Sequence, residues 1–280
     1  MGFSADWLAL REPADRAARD GGLARQLCAT QPASSVVVDL GAGAGATRRA
    51  LAGVLPASTE WILVDNDPAL LEAAMREDSA KVRTIVADLN DIGALPLDGA
   101  SLVTASALLD LVSRDWLAAL IERLRALRLP IYAALSYDGR MTWTPASDLD
   151  PPVFAAFNRH QRGDKGFGPA LGPDAAREAA RLFREAGFGV ETADTPWRLD
   201  AGHAALQREL MEGIAEAASA AGCDVARPWL KHRLSLLDRA TCEVGHADLL
   251  ALPQPGCDNR PARAMSEMGL AGRPEGTDDA

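Results

Sequence analysis

Four aspartates stand at or just past the ends of successive apolar runs. Val36-Val37-Val38 leads to Asp39, and Trp61-Ile62-Leu63-Val64 leads to Asp65. Val82 to Ala87 leads to Asp88, and Ser101 to Leu109 leads to Asp110. The beat is about one strand-plus-helix unit, so each carboxylate falls at the carboxyl end of a strand, where open α/β sheets bind ligands. Behind the first of them comes Gly41-Ala42-Gly43-Ala44-Gly45-Ala46-Thr47, and Arg48 to Val54 has the composition of a helix start. Strand, glycine turn and helix N-terminus form a nucleotide-binding crevice, because missing side chains let the backbone approach a ligand. A pyrophosphate has little use for a carboxylate immediately before that turn. A ligand carrying an ammonium group does. Asp65, at the end of the second run, can accept hydrogen bonds from both hydroxyls of a ribose.

The elements that must position these groups read as a doubly wound α/β sheet, with strand and helix alternating over residues 36–135. Asp67-Pro68 supplies an N-cap and first-turn proline for a helix through Met75, and Ser113 or Asp115 caps a helix over Trp116 to Ile121. Pro130 to Ser136 is the fifth strand. Pro173-Asp174 opens a helix stopped at Gly187, Phe188 to Ala193 is the sixth strand, and Ala247 to Pro253 suits the seventh. Trp7 to Thr30 is helical, broken by Gly21-Gly22. It is either a cap over the ligand sites or the first helix of the layer on the sheet. The predicted organisation is an N-terminal helical segment at 1–35, a main domain at 36–253 with insertions at 137–172 and 196–245, and a disordered tail at 254–280, rich in Pro, Gly, Asn and charge.

Asp39-Leu40-Gly41-Ala42-Gly43 resembles the first motif of the class I S-adenosylmethionine-dependent methyltransferases, and the run of helix, Ala186-Gly187-Phe188 and strand resembles their late signature. The resemblance covers residues 36–253, interrupted by the two insertions. It implies a Rossmann-like, seven-stranded, mostly parallel sheet and S-adenosyl-L-methionine as cofactor. It places Asp39, Gly41, Ala42 and Gly43 on the methionyl end and Asp65 with Asn66 on the ribose. Asp88 with Leu89 falls on the adenine, and Ser106 with Ala107 near the sulfur. Gly41, Gly43 and Ala46 also satisfy the G-x-G-x-x-A form of NAD(P)-dependent oxidoreductases, an alternative that explains Asp65 but neither Asp39 nor Asp88. A further alternative is a binding protein that keeps the cofactor site without catalysis.

Acceptor chemistry would sit on the loops after the fourth and fifth strands. Methyl transfer from an activated sulfonium mainly requires the nucleophile to be held in line, with a base only where the acceptor must lose a proton. Asp110 could orient such an acceptor, or could simply bond a backbone amide. His160 is a candidate base, and Asn158, Arg162 and Lys165 are candidate substrate contacts on the polar run Phe157 to Gly168; the other reading of that run is a solvated surface. Tyr137, Trp143 and Trp197 could line an apolar acceptor pocket or serve as packing. No Asn/Asp-Pro-Pro-Tyr/Phe run follows the fourth strand and the cysteines form no pair, which leaves a small-molecule acceptor.

The bulk composition sets limits. The chain has 280 residues, a net charge of −10 and no basic stripe, which argues against nucleic acid as a partner. Cys28, Cys223, Cys242 and Cys257 are far apart and the four histidines lack ligand spacing, so no metal is expected. No leader or membrane span is read, and the expected location is the cytoplasm. Within 196–245 two helices are expected, with stripes at Leu206, Leu210, Ile214 and Ala217 and at Leu230, Leu234, Leu237 and Thr241. They are expected to form a lid or a homodimer interface.

Overall fold

The computed structural model describes residues 4–76 and 80–254. Strands β1 (Val36–Leu40), β2 (Glu60–Asp65), β3 (Val82–Val86), β4 (Leu102–Ser106) and the first half of β5 (Ile131–Thr144) run parallel. They lie in the order β3-β2-β1-β4-β5, with strand order reversing at β1 and β4. β8 (Thr241–Pro253) adds antiparallel to β5, and β6 (Phe188–Asp194) closes that edge antiparallel to β8. A short β7 (Trp197–Leu199) pairs with the first part of β8. The architecture is the expected doubly wound, mostly parallel sheet.

Both faces of the sheet are covered, as its alternating residues require. Val38, Leu40, Ile62 and Val64 face α5 (Arg114–Leu127) and α7 (Ala175–Glu185); Val37 and Leu63 face α2 (Gly21–Thr30), α3 (Ala46–Leu51) and α4 (Pro68–Ala74). Ser113 is the cap of α5, accepting from Trp116 N at 3.2 Å, and Asp67 caps α4. The first break falls a little earlier than the sequence places it. α1 (Ala5–Ala18) ends before Asp20, which caps α2, and Gly21 and Gly22 form the first turn of α2.

The fifth and seventh strands of the sequence reading are too short. β5 does not stop at Ser136 but runs to Thr144, and β8 begins at Thr241, because the two strands keep pairing beyond the sheet (Met141 with Val244, Trp143 with Cys242). The insertion at 137–172 thus starts as strand. The extended ribbon buries Tyr137, Met141 and Trp143 against a helical lobe of α6 (Asp150–Gln161), α8 (Ala204–Ala220) and α9 (Ala226–Leu234). α8 uses its stripe inside the chain, on α6, α9 and α1. The fully buried residues of α9 are Ala226, Trp229 and Arg233, where Arg233 reaches in to pair with Asp150; Leu230 and Leu234 of the expected row are half-buried against the same core, and Leu237, past the helix, is buried in it. Thr241 belongs to β8.

One buried carboxylate ties these layers together. Asp248 accepts from Tyr132 Oη at 2.6 Å, Leu135 N at 2.8 Å, Thr195 Oγ1 at 3.0 Å and Asp20 N at 3.2 Å. With four donors from three segments its desolvation is compensated. The bond to Leu135 N also holds the irregular point of β5, where Leu135 has φ +57°. The tail expected at 254–280 lies, except for Gln254, outside the described residues.

Candidate active site

The glycine turn after β1 bends through positive φ at Gly41 (66°), Gly43 (50°) and Gly45 (82°), conformations that disfavour a side chain. Gly43 N–H donates to Asp65 Oδ2 at 2.8 Å, and Asp67 N–H donates to Asp65 Oδ1 at 3.0 Å. Asp65 therefore fixes the turn as well as the end of β2. Each carboxylate oxygen keeps a lone pair for a further donor. The turn is roofed by α1: a Cβ at Gly43 would lie 3.1 Å from Leu8 Cδ1. Glu12 of the same helix pairs with Arg49 of α3 at 2.6 Å. The N-terminal helices thus divide the two roles open to them, α1 over the turn and α2 on the sheet.

Beneath the turn lies a polar cluster with an unfilled valence. Asp39 is fully buried, and its Oδ1 accepts from Thr104 Oγ1 at 2.7 Å. Loss of hydration pushes its carboxyl up to about 7, against the Thr104 hydrogen bond and the nearby Arg19 charge. Arg19 reaches back from the end of α1 to donate through Nη2 to Ser106 Oγ at 2.8 Å, and Thr47 Oγ1 donates to the same oxygen at 2.9 Å. Asp39 Oδ2 is buried with no hydrogen-bond partner among the described residues, and so are Arg19 Nε and Nη1. Buried polar atoms are seldom left so. An acceptor lacking a donor beside donors lacking an acceptor is the complement of an ammonium and a carboxylate on one carbon, the amino-acid end of S-adenosylmethionine.

At the β2 and β3 end of the crevice, Asn66 is exposed just past β2. Asp88 is exposed past β3, its Oδ1 accepting from Asn90 N at 2.9 Å and Asn90 Nδ2 at 3.0 Å. Asn90 also donates to Gly166 O at 3.0 Å, which brings the polar insertion to this end of the crevice. Leu89 is buried, and its carbonyl accepts from Trp116 Nε1 at 2.7 Å. Its side chain and that of Leu108 lie against Gly41.

Past the end of β4, a cavity of about 140 Å³ opens between α1, the β5–β8 ribbon and the helical lobe. Its lining includes Ala107 and Asp110, Trp7 and Arg11 from α1, Tyr137 from β5 and His246 from β8. The Asp110 carboxyl is pushed up to about 6 by burial, although the N–H groups of Asp110 and Tyr137 oppose the shift. Burial drives His246 down to about 3, helped by the Arg11 charge, so its imidazole is neutral. Asp110 Oδ1 and His246 Nδ1 have no partner among the described residues. Arg11 is held by Asp15 through bonds of 2.9 and 3.1 Å, and Trp197 Nε1 donates to the same carboxylate at 2.9 Å.

The other sequence candidates take different places. Tyr137 lines the cavity and donates from Oη to Asn158 Oδ1 at 2.8 Å; Asn158 Nδ2 donates to Gly139 O at 3.0 Å. Asn158 is absent from the lining and fixes the ring that is there. Trp143 is not in the cavity but in the lobe core, against Phe154 and Trp229. Arg162 points away, paired with Asp174 at 3.0 Å. Lys165 Nζ lies 3.3 Å from His160 Nδ1 and donates to His160 O at 3.2 Å, and neither side chain lines the cavity. α6 turns Phe157 and Gln161 toward it instead. Arg11, Arg19 and His246 were not singled out by the sequence. Arg19 immediately before the Asp20 cap carried a weak signal. His246 carried none, since it lay in a segment read as connection.

Residues 37–129 match the family model described as a methyltransferase domain. Among solved structures, a cyclopropane-fatty-acyl-phospholipid synthase-like protein from Lactobacillus casei is similar over 90% of this chain and 95% of its own, at 14% identity and a TM-score of 0.53. The YcgJ protein from Bacillus subtilis is similar over 84% of this chain and 98% of its own, at 14% identity and a TM-score of 0.50. These two likenesses are of fold. No curated protein matches the chain. Among the described residues no helix is long and apolar enough to cross a membrane.

Proposed function

We propose that this chain, whose residues 37–129 match a methyltransferase domain, is a class I S-adenosylmethionine-dependent methyltransferase whose acceptor is a small molecule seated in the cavity beside Ala107 and Asp110. The observation that carries the donor assignment is the unfilled pair under the glycine turn, Asp39 Oδ2 and the Arg19 guanidinium. A nicotinamide dinucleotide offers no ammonium to Asp39 and leaves its Oδ2 buried without a donor, so the oxidoreductase alternative lacks support. In this reading Asp39 and Arg19 hold the amino and carboxylate groups, with Gly41, Ala42 and Gly43 giving backbone contact. Asp65 and Asn66 take the ribose, Asp88 and Leu89 the adenine, and Ser106 with Ala107 the region of the sulfur.

The bound cofactor supplies an activated methyl group on sulfonium. What the chain contributes is alignment and exclusion of water. Ala107, with φ +50°, belongs to the cavity wall and directly follows Ser106, which belongs to the donor cluster, so the two sites meet at one peptide. Tyr137, Phe157 and Trp197 shape an apolar seat, and Asp110 is placed to orient an acceptor or take its proton. The cavity's size and the acidic balance of the chain support a small molecule over nucleic acid. Cys28, Cys223 and Cys242 are free thiols, which fits a reducing compartment such as the cytoplasm. The homodimer through 196–245 stays a proposal, its surface lying outside the α8 stripe, which packs within the chain.

The test is the thermal midpoint with S-adenosylmethionine, S-adenosylhomocysteine, NAD and NADP in parallel. A ligand at a hundred times its dissociation constant adds about 2.7 kcal/mol. The expected result is a shift with the adenosyl ligands alone. A shift with NAD or NADP alone overturns the reading, and adenosyl binding without methyl transfer to any acceptor would support the non-catalytic alternative.

A further inference from the structure

Both partnerless polar atoms on the acceptor cavity, Asp110 Oδ1 and His246 Nδ1, are hydrogen-bond acceptors. Burial keeps the ring neutral, and with Nδ1 unpartnered its N–H is assigned to Nε2, toward the Val244 carbonyl, an assignment that makes Nδ1 the acceptor. His246 is only 6% exposed. The two groups are brought to one wall by the fold: Tyr137 and His246 are partners across the β5–β8 ribbon, and the Tyr137 N–H lies against the Asp110 carboxyl. Of the cations nearby, Arg11 is chelated by Asp15, and Lys165 lies outside the lining, against His160. The cavity thus asks for a ligand with at least two hydrogens to donate, close to a carboxylate and among aromatic rings. A hydroxyl has one hydrogen and would leave one buried acceptor unpaired. An ammonium satisfies both, and aromatic faces attract it further.

We propose that the acceptor is a small ammonium-bearing molecule, methylated on nitrogen, with Asp110 as the group that takes its proton. The proposal rests on the donor assignment above. One N–H proton passes to Asp110 Oδ1, leaving a neutral amine and a neutral carboxyl. A remaining N–H donates to His246 Nδ1 and so directs the lone pair. The lone pair forms the new N–C bond as the C–S bond of the donor breaks with its electron pair on sulfur. The products are a thioether and an N-methylammonium, and Asp110 then returns its proton to solvent.

The experiment measures binding of benzylamine, benzyl alcohol and benzoate to the full chain saturated with S-adenosylhomocysteine, by titration calorimetry from pH 5 to 8. Binding of S-adenosylhomocysteine itself is measured first, and its failure would count against the donor assignment, not the acceptor class. Given that binding, benzylamine is expected to bind at least tenfold more tightly than the other two at pH 7.5. Asp110→Asn should abolish that preference while leaving S-adenosylhomocysteine affinity unchanged. If that variant does not fold, wild type decides: benzylamine affinity should fall as pH drops from 7 to 5 while benzyl alcohol affinity stays level. Equal or tighter binding of the alcohol or benzoate, no binding of benzylamine, or a preference that survives Asp110→Asn would overturn the proposal.

Discussion

Asp65 Oδ2 accepts the Gly43 N–H at 2.8 Å, so the carboxylate assigned to the ribose also holds the turn assigned to the methionyl end. Asp65→Ala should therefore do more than remove a ribose contact. It leaves the Gly43 and Asp67 N–H groups without their acceptor, at a cost of about 1–3 kcal/mol for a buried donor. We expect S-adenosylhomocysteine affinity to fall about 100-fold and the urea midpoint to drop. Unchanged stability with weakened binding would confine Asp65 to ligand contact.

Asp39 sets a pH dependence. Its folded-state pKa of about 7 lies above the unfolded value, so between about 4 and 7 the folded state binds the extra proton. Stability from this group is greatest at the acid end of that window and is lost as pH rises through it. Asp110, raised to about 6, acts in the same direction over a narrower range. Without ligand, the melting temperature should fall by a few degrees from pH 5 to 7.5, and Asp39→Asn should flatten part of that slope. S-adenosylhomocysteine affinity should show the opposite trend, rising up to about tenfold per pH unit below 7 as Asp39 ionises to meet the ammonium.

Gly43→Ala meets two obstacles, φ of +50° and Leu8 Cδ1 at 3.1 Å from the new Cβ. We expect a loss of about 1–2 kcal/mol from the backbone conformation alone. Leu8→Ala in the same chain should recover the steric part and not the backbone part. Denaturant titration of the single and double variants separates the two. Full recovery would mean that the turn relaxes freely.

In the helical lobe, Arg233 is fully buried and pairs with Asp150, which also accepts from Trp229 Nε1 at 2.8 Å. Asp150→Ala should destabilise by about 3–5 kcal/mol, because a buried guanidinium is left uncompensated. Removing both charges with Asp150→Ala and Arg233→Met should restore part of that loss, read from the chemical denaturation midpoint.

The sheet was legible because its information is local. Val37-Val38 and Trp61 to Val64 are buried on both faces, and Asp67 and Ser113 cap by bonds to their own neighbours. The proposed donor site shared that advantage, since Asp39, Asp65 and Asp88 sit at strand ends. The acceptor cavity did not. Its walls come from Trp7, Tyr137 and His246, joined by long-range pairing of β5 with β8 that no local pattern announces. His160 and Arg162 had the right chemistry, but the α6 register turns them from the cavity and Phe157 and Gln161 toward it. Arg19 was missed because a cation at a helix end reads as a surface group until Ser106 is seen within 2.8 Å.

The central claim is that Asp39 and Arg19 receive the amino acid end of the cofactor. The direct test is calorimetric titration of wild type, Asp39→Asn and Arg19→Met with S-adenosylhomocysteine and with 5′-methylthioadenosine, which lacks that end. Wild type should prefer S-adenosylhomocysteine by about 100-fold or more, two charge-assisted contacts of roughly 1.5–3 kcal/mol each. Either variant should reduce that preference without weakening 5′-methylthioadenosine. Equal affinity of the two ligands for wild type, or a preference that survives both substitutions, would contradict the account.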